Sequence, residues 1–187
     1  YNIRLATRKG VTVNMDCGRD DLPIFYKLLK ETCERDGFLV RGLSYFQDMW
    51  DLLTPPGYMR LVLTYYEGTP VAGAIAYLFG DKAMYTYGAS SNEHRNVMPN
   101  HLMQWTMIQW AMENRCKWYD FRGVSPKKDD GDDHLRGLNR FKEGFSPRFV
   151  EYIGEYDMVL SPGWYWLWNV ARPRIQSMLK ARRRAED

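Results

Sequence analysis

Two cationic side chains stand in surroundings that suit the binding or stabilisation of negative charge. Lys142 lies between Phe141 and Phe145, so its ammonium is expected near apolar surface, where electrostatic interactions are stronger than in water. Arg41 precedes Gly42 in a short segment between two predicted helices. Taken singly, Lys142 also fits a solvated helix residue, and Arg41 also fits a surface ion pair.

Two tyrosines mark the end of a predicted strand. Tyr85 and Tyr87 are two residues apart, and the period of a strand predicts that both lie on one face, just before Gly88. The ordinary explanation for such a pair is packing at the edge of a core.

The sequence lacks the motifs of several common catalytic and metal-binding classes. It contains no GxSxG, HExxH or P-loop motif. Its three histidines and three cysteines are His94, His101, His134, Cys17, Cys33 and Cys116. No histidine pair has ligand spacing on a helix, and the cysteines are widely spaced without a CxxC. We therefore expect neither a metal site nor a disulfide framework, and free cysteines favour a cytoplasmic setting.

The composition fits one globular domain and argues against a strongly basic nucleic-acid binder. The chain has 187 residues, of which 45% are hydrophobic and 26% charged, with a net charge of +3. Its longest nearly apolar run, Pro70–Phe79, is far shorter than the roughly 20 residues that a membrane-spanning helix needs. Any contact with nucleic acid must therefore come from a local patch of charge.

Hydrophobic periodicity predicts alternating helices and strands. Helices are expected at 1–10, 21–36, 44–53, 99–115, 135–145 and 162–184, with Ser44 as the cap of the third. Strands are expected at 11–15, 59–66, 70–79, 82–89, 117–121 and 149–159, and a polar loop at 123–133. Short polar connections make the strands between 59 and 89 an antiparallel meander. The order predicts an α/β (α+β) fold with a mixed, largely antiparallel sheet flanked by helices.

This order of elements resembles the GNAT acyltransferase fold. A CoA-dependent GNAT enzyme holds the pyrophosphate with a glycine-rich loop at a helix N-terminus. The corresponding loop here, 88–101, lacks clustered glycines, and Pro99 removes one backbone donor. The sequence therefore disfavours CoA.

Several motifs, in order, resemble the FemABX family of tRNA-dependent aminoacyltransferases that build the peptidoglycan cross-bridge. They are Asp36–Phe46, Tyr85–Ser90, Trp118–Val124, Gly137–Phe145, Glu151–Glu155 and Val159–Pro162. Tyr1–Gly10 is similar to the family's entry into its second GNAT-like domain. The resemblance implies a GNAT-like fold and transfer of an amino acid from aminoacyl-tRNA to a peptidoglycan precursor. The acceptor that the resemblance implies is the stem-peptide amine of lipid II or UDP-MurNAc-pentapeptide.

The resemblance also implies roles for individual residues. Lys142 matches the catalytic lysine near the aminoacyl ester, where an ammonium stabilises the oxyanion and contacts the tRNA terminus, and Phe141 lies beside it. Arg41 matches an arginine that contacts the precursor's diphosphate in members that use a soluble precursor. Tyr45 and Tyr87 match tyrosines that line the precursor site.

Asp120 is a candidate for orienting the peptide or the backbone at this site. Aminolysis of an activated ester needs no metal or redox cofactor, so aminoacyl-tRNA is expected as a co-substrate and no cofactor is expected. Two alternatives stay open. One is another GNAT-fold acyltransferase, either CoA-dependent or transferring from aminoacyl-tRNA to protein, and the other is a non-catalytic module that binds precursor or tRNA.

We expect a GNAT-like domain at 1–161 and a basic amphipathic helix at 162–187, packed on that domain or extending from it. Because family members carry two such domains in tandem, the resemblance implies that a first GNAT-like domain is missing and that the isolated chain is inactive. Trp164, Trp166 and Trp168, followed by a basic end, resemble an interfacial or polyanion-binding helix. A helix packed on its own domain is the alternative. The interfacial interpretation favours a protein peripheral to the inner face of the cytoplasmic membrane.

Overall fold

The computed structural model describes residues 1–124 and 136–175. The chain divides into two compact units, Tyr1–Phe145 and Ser146–Asp187. The first unit ends before position 161, and the domain boundaries given by the sequence stay a prediction.

Five strands of the first unit form one sheet in the order β1-β2-β3-β4-β5. They are Thr12–Asn14 (β1), Met59–Tyr66 (β2), Thr69–Phe79 (β3), Lys82–Ser90 (β4) and Trp118–Asp120 (β5). β1 to β4 pair antiparallel, and β5 runs parallel to β4. The predicted meander and the mixed sheet are therefore confirmed.

Helices follow the predicted order closely. Those of the first unit are Asn2–Arg8 (α1), Leu22–Asp36 (α2), Leu43–Leu53 (α3), Pro99–Glu113 (α4) and Arg136–Glu143 (α5). The predicted cap at Ser44 is wrong, because Gly42 takes the extended N-cap conformation and its carbonyl accepts the first backbone bond, from Tyr45 at 3.1 Å.

The helices cover both faces of the sheet. α2 and α3 pack on one face, where Phe25, Phe46 and Ile75 are fully buried. α4 packs on the opposite face, where Met103 and Met107 lie against small β3 residues. Side chains alternate between the two faces along a strand. β2 and β3 therefore contribute side chains to both cores and are apolar almost throughout.

A β-bulge in β4 sends its two tyrosines to opposite faces. Ile75 of β3 pairs with Tyr87, whereas the next residue, Ala76, pairs with Tyr85, so Thr86 is extra in β4. Residues that pair directly share a face. Tyr87 therefore packs with the α2 and α3 core, and Tyr85 packs under α4. The prediction that both tyrosines share one face is wrong, because the period of two does not continue through a bulge.

Gly88 makes room for the Tyr85 ring. A Cβ at Gly88 would overlap the Tyr85 hydroxyl and ring carbons. Burial raises the pKa of Tyr85 to about 12, and a hydrogen bond with Gln104 partly offsets that rise. The Tyr119 hydroxyl donates to Gln104 Oε1 at 2.7 Å. These polar side chains form one cluster beneath α4, and Gly88 is the position that leaves space for it.

The second unit contains the helix Pro162–Trp166 (α6), which continues through a π-helical turn at Leu167–Ala171 and remains helical to Ile175. Residues 146–160 have no regular secondary structure, so the strand predicted at 149–159 is wrong. The alternating apolar side chains include Tyr152 and Tyr156, which are both exposed, and a strand forms only where a partner accepts its backbone hydrogen bonds.

Two predicted features lie outside the described residues. They are the polar loop from residue 125 onward and the basic end of the last helix beyond Ile175. Within 1–124 and 136–175, no helix is long and apolar enough to cross a membrane.

We expect Gly88→Ala to lower the free energy of unfolding by about 1–3 kcal/mol, because the added methyl group must displace the enclosed Tyr85 ring. Urea denaturation followed by tryptophan fluorescence measures the change. Gly18→Ala is the matched control, since a Cβ there meets nothing within 4 Å. Equal stability of Gly88→Ala and the unchanged chain would show that the ring can move aside.

Candidate functional site

Lys142 of α5 is buried, with only 4% of its surface exposed. Its Nζ donates a hydrogen bond of 2.6 Å to the carbonyl oxygen of Gly123, in the segment that follows β5. Burial lowers the pKa of Lys142, and the nearby Asp120 carboxylate opposes that shift. The result is an ammonium in a largely apolar setting with one strong acceptor, which suits the stabilisation of a developing anion.

Asp120, at the end of β5, contacts Lys82 and the backbone of Arg122, and its charge acts on Lys142. Its Oδ1 accepts the backbone N–H of Arg122 at 2.7 Å, and its Oδ2 lies 3.5 Å from Lys82 Nζ. The structure thus places Asp120 close to Lys142, and the carboxylate organises the chain where β5 ends.

Aromatic rings hold α5 against the rest of the first unit. The Phe141 ring lies 4.9 Å from the His101 ring of α4, and Phe145 lies 5.4 Å from Phe121. His101 is half-buried there, and burial lowers its pKa. Phe141 is therefore a packing contact of α5, next to Lys142 in sequence, and its contact with substrate stays a prediction.

Arg41, Tyr45 and Tyr87 come together at the start of α3. The Arg41 guanidinium carbon lies 5.5 Å from the centre of the Tyr45 ring. Phe46 links the two tyrosines, with ring centres 5.5 Å from Tyr45 and 5.2 Å from Tyr87. Burial raises the pKa of Tyr87 to about 12, the neighbouring Tyr45 adds to the rise, and Arg41 opposes it. A guanidinium beside phenol hydroxyls can bind a phosphate or sugar.

The sequence did not single out two further members of this group, Tyr77 and Arg122. The Tyr77 hydroxyl donates to Met49 Sδ at 3.2 Å. Burial raises the pKa of Tyr77, and the charge of Arg122 opposes that rise. Strand register explains the proximity, because Tyr77 pairs with Met84 and Met84 pairs with Asp120. Of these two residues, only Arg122 lies in a motif that the sequence analysis identified, Trp118–Val124.

The loop after β4 is held by α2 side chains. The Glu31 carboxylate accepts the backbone N–H of Asn92 at 2.5 Å and the Ser91 hydroxyl at 3.1 Å. Arg35 donates to the Ser90 carbonyl and to Asn92 Oδ1, each at 2.9 Å. Since the Glu31 carboxylate already accepts the Asn92 N–H, that backbone donor is occupied and does not point at a phosphate. This arrangement disfavours a CoA pyrophosphate at the loop.

Among residues 1–124 and 136–175, no group of three or more His, Cys, Asp or Glu side chains is placed to hold a metal ion. The arrangement consists of a buried ammonium near Asp120 and a cluster of tyrosines beside Arg41, and the charge of Arg122 acts on Tyr77 of that cluster.

A family model described as FemAB family matches residues 1–65 and 58–172. Lipid II:glycine glycyltransferase from Staphylococcus saprophyticus subsp. saprophyticus is 31% identical over 234 aligned residues, covering 92% of this chain and 56% of the relative. The chain thus spans little more than half the length of the curated relatives it matches. Because the alignment is longer than the 187-residue chain, that relative carries residues within the matched region that this chain lacks.

Solved structures agree on the fold. A crystal structure of FemX superposes with a TM-score of 0.78 at 29% identity, covering 89% of this chain and 57% of that chain. An aminoglycoside acetyltransferase from an uncultured soil metagenomic sample superposes with a TM-score of 0.58 at 14% identity, covering 81% of this chain and 97% of that one. The second similarity concerns the fold alone, and the predicted GNAT-like fold is confirmed.

We expect Lys142→Met to be at least as stable as the unchanged chain at pH 7, because it removes a buried charge whose pKa is lowered. The unfolded state binds more protons between the folded and unfolded pKa of Lys142, so stability rises with pH in that window. The difference in free energy of unfolding between Lys142→Met and the unchanged chain should therefore become smaller as the pH approaches 10. Denaturant titrations at pH 7 and pH 10 measure it.

The matched control is Lys117→Met, since the Lys117 side chain is 77% exposed. That substitution should leave both the stability and its pH dependence nearly unchanged. A Lys142→Met chain clearly less stable than the unchanged chain at pH 7 would contradict the buried-charge interpretation.

Proposed function

We propose a function that proceeds from one premise: this chain belongs to the FemAB family. The chain forms the part of an aminoacyltransferase that adds an amino acid from aminoacyl-tRNA to the stem-peptide amine of a peptidoglycan precursor. The observation that carries the proposal is the buried Lys142 ammonium, which donates a hydrogen bond to the Gly123 carbonyl and lies near Asp120. The curated relatives, named lipid II:glycine glycyltransferases, support the substrate class.

The reaction is the aminolysis of an ester. The neutral amine of the stem peptide attacks the ester carbonyl, forming the C–N bond and a tetrahedral oxyanion. Collapse of that intermediate breaks the C–O bond to the tRNA ribose. The amine loses one proton and the leaving ribose oxygen gains one, so no oxidant, reductant or metal is needed.

Lys142 is the catalytic residue of this proposal. Its ammonium lies in a setting that excludes much of the water, where a positive charge stabilises an oxyanion more strongly than it does in solvent. Asp120 is a positioning residue, because it opposes the lowering of the Lys142 pKa and anchors the backbone of Arg122.

The tyrosine cluster is the precursor side of the site. Arg41 takes the diphosphate of the precursor, and Tyr45 and Tyr87 line the sugar and peptide next to it. Phe141 lies beside the aminoacyl ester, next to Lys142. No cofactor is required, and aminoacyl-tRNA is the co-substrate.

The chain corresponds to the second of two GNAT-like domains. The 56% coverage of the curated relative and the 57% coverage of FemX support a match to about half of a longer protein, and the similarity of Tyr1–Gly10 to the family's entry into its second domain supports the choice of domain. Substrates then bind with a contribution from a first domain, and the isolated chain has little or no transferase activity.

We expect Lys142→Ala, in the full-length protein that carries this chain, to lower kcat by about a hundredfold or more, as loss of one oxyanion donor does elsewhere. The KM for the precursor should change little, because the precursor contacts lie on Arg41 and the tyrosines. Transfer of labelled amino acid from charged tRNA to lipid II and to UDP-MurNAc-pentapeptide measures both constants.

Lys117→Ala is the control, since that lysine is exposed and pairs with Asp81. Unchanged transfer by Lys142→Ala would remove Lys142 from the mechanism. Precursor binding without any transfer by the unchanged protein would favour the non-catalytic module, and saturable acetyl-CoA binding would favour a CoA-dependent enzyme.

We propose that the protein lies at the inner face of the cytoplasmic membrane and that the helical segment of the second unit makes the contact. Trp164, Trp166 and Trp168 are 72%, 58% and 62% exposed, and the Arg172 guanidinium lies 4.0 Å from the Trp168 ring centre. Exposed tryptophans beside arginine suit the boundary between anionic headgroups and acyl chains. Such a location fits a lipid-linked precursor.

We expect replacement of Trp164, Trp166 and Trp168 by alanine to reduce binding to anionic phosphatidylglycerol vesicles by about tenfold or more, because apolar surface is no longer buried at the bilayer. Vesicle cosedimentation of the chain measures binding. Trp118→Ala is the control, since Trp118 is also exposed but lies on β5. Equal sedimentation of the triple variant and the unchanged chain would contradict peripheral binding.

A further inference from the structure

The first fifteen residues hold the whole net charge of the chain. They contain three of its 26 lysines and arginines and none of its 23 acidic residues, so their charge of +3 equals that of the complete sequence. The three residues are Arg4, Arg8 and Lys9, which we call the α1 cations. Because the mean charge of the chain is small, binding to nucleic acid requires a local concentration of positive charge such as this one.

The stability of α1 does not explain all of these cations. Arg8 and Lys9 lie at the end of the helix, where the carbonyl groups of the last turn favour positive charge. Arg4 lies in the first turn, where the N–H groups disfavour it. Arg4 is also four residues from Arg8, and like charges at that spacing repel each other and destabilise a helix. Arg4 therefore works against the helix that carries it.

The α1 cations lie on the solvent side of their helix. Ala6 is fully buried in a small core that includes Leu102 of α4, whereas all three cations are exposed. α1 thus packs against α4, on the side of the sheet opposite to α2 and α3. The cluster of Arg41 and the tyrosines belongs to the α3 side. The α1 cations are therefore separated by the sheet from the proposed precursor side of the site.

The neighbouring turns carry charges of both signs. Tyr66 and Val97 belong to the same small core as α1. Glu67 follows Tyr66, and Glu93 and Arg95 precede Val97 by a few residues. Together with the α1 cations, these three side chains leave an excess of positive charge on this surface.

α1 is connected to the candidate catalytic lysine through α4. The Asn2 amide nitrogen lies 3.1 Å from His101 Nε2, within hydrogen-bond distance. The His101 ring contacts Phe141, with ring centres 4.9 Å apart, and Phe141 directly precedes Lys142 on α5. The α1 cations follow Asn2 at distances of about 3–11 Å along the helix axis. They therefore begin next to the helix that carries Lys142.

We propose that the α1 cations bind the phosphate backbone of the paired acceptor stem of aminoacyl-tRNA. The inference rests on the proposed function for the identity of the RNA. In that function the ester lies at Lys142 and ends an unpaired stretch of several nucleotides, so the paired stem begins at some distance from the ester. Cations that start beside α5 and continue along α1 are placed for that stem. Phosphate contacts of this kind position an RNA without reading its sequence.

The test measures binding of the 187-residue chain to a labelled RNA hairpin that has a tRNA acceptor stem and its unpaired 3′ end. Fluorescence anisotropy at several KCl concentrations gives the affinity. We expect the triple variant Arg4→Gln, Arg8→Gln, Lys9→Gln to bind about tenfold or more weakly at low salt. The slope of log K against log salt should become shallower by about two to three, because each lost phosphate contact removes slightly less than one unit.

Two further variants separate charge at this surface from folding and from net charge. Arg4→Lys with Arg8→Lys should keep most of the affinity, since the contact depends on charge. The charge-matched control is Lys27→Gln, Lys30→Gln, Lys117→Gln, which removes three exposed cations from α2 and from the residue before β5. It should bind the hairpin nearly as the unchanged chain does. Glutamine has almost the helix propensity of lysine and arginine, so circular dichroism should show every variant folded.

Kinetics of the full-length protein that carries this chain give a second readout. The α1 triple variant should raise the KM for aminoacyl-tRNA by about tenfold and leave kcat nearly unchanged, because the stem contact is made equally in the ground state and the transition state. The KM for UDP-MurNAc-pentapeptide should not change.

Equal hairpin binding by the α1 triple variant and the unchanged chain would overturn the inference. An equal loss in the charge-matched control would overturn it too, as would the absence of hairpin binding by the unchanged chain. Weaker binding of the triple variant to phosphatidylglycerol vesicles, with RNA binding intact, would assign the α1 cations to a membrane instead. Loss of hairpin binding in the triple variant, with no amino-acid transfer by the unchanged full-length protein, would sustain RNA binding at α1 while the proposed transferase function fails.

Discussion

A buried ammonium determines how this site must be built. An isolated charge inside a protein is strongly destabilising unless neighbouring groups compensate it. The compensation for Lys142 comes from the Gly123 carbonyl and from Asp120, while α5 is seated on α4 by the Phe141 and His101 rings. These groups lie on different parts of the chain. The charge can therefore reach its place only when the sheet, α4 and α5 have assembled, so the site is a property of the whole first unit.

The bulge in β4 separates two tasks that a regular strand would combine. Tyr87 turns toward α3, where it meets Phe46 and the Arg41 region, and Tyr85 turns toward α4, where it joins Gln104 and Tyr119. One tyrosine thus lies in the candidate binding surface, and the other reinforces the contact between the sheet and the helix behind it. A single extra residue, Thr86, produces this division.

The sequence was enough to predict most elements but not the relations between them. Long, strongly periodic segments such as α2, α4 and the meander were predicted within a few residues, because the order of their own apolar and polar side chains determines which of them are buried. The cluster of Tyr77 and Arg122 depends on register across three strands, which no local pattern specifies. The same reason explains the wrong strand at 149–159, where the side-chain alternation was present and a pairing partner was not.

The Glu31 carboxylate on the loop after β4 has a thermodynamic consequence. A loop whose backbone N–H groups have no partner until a phosphate binds becomes more ordered as the ligand concentration rises. The stability of such a loop is linked to its ligand. Here Glu31 already accepts the Asn92 N–H and the Ser91 hydroxyl, and Arg35 ties the Ser90 carbonyl to α2. The hydrogen bonds that hold this loop therefore do not require a bound phosphate. The chain supplies its own anion, and the end of β4 that carries Tyr87 is preorganised before any substrate arrives.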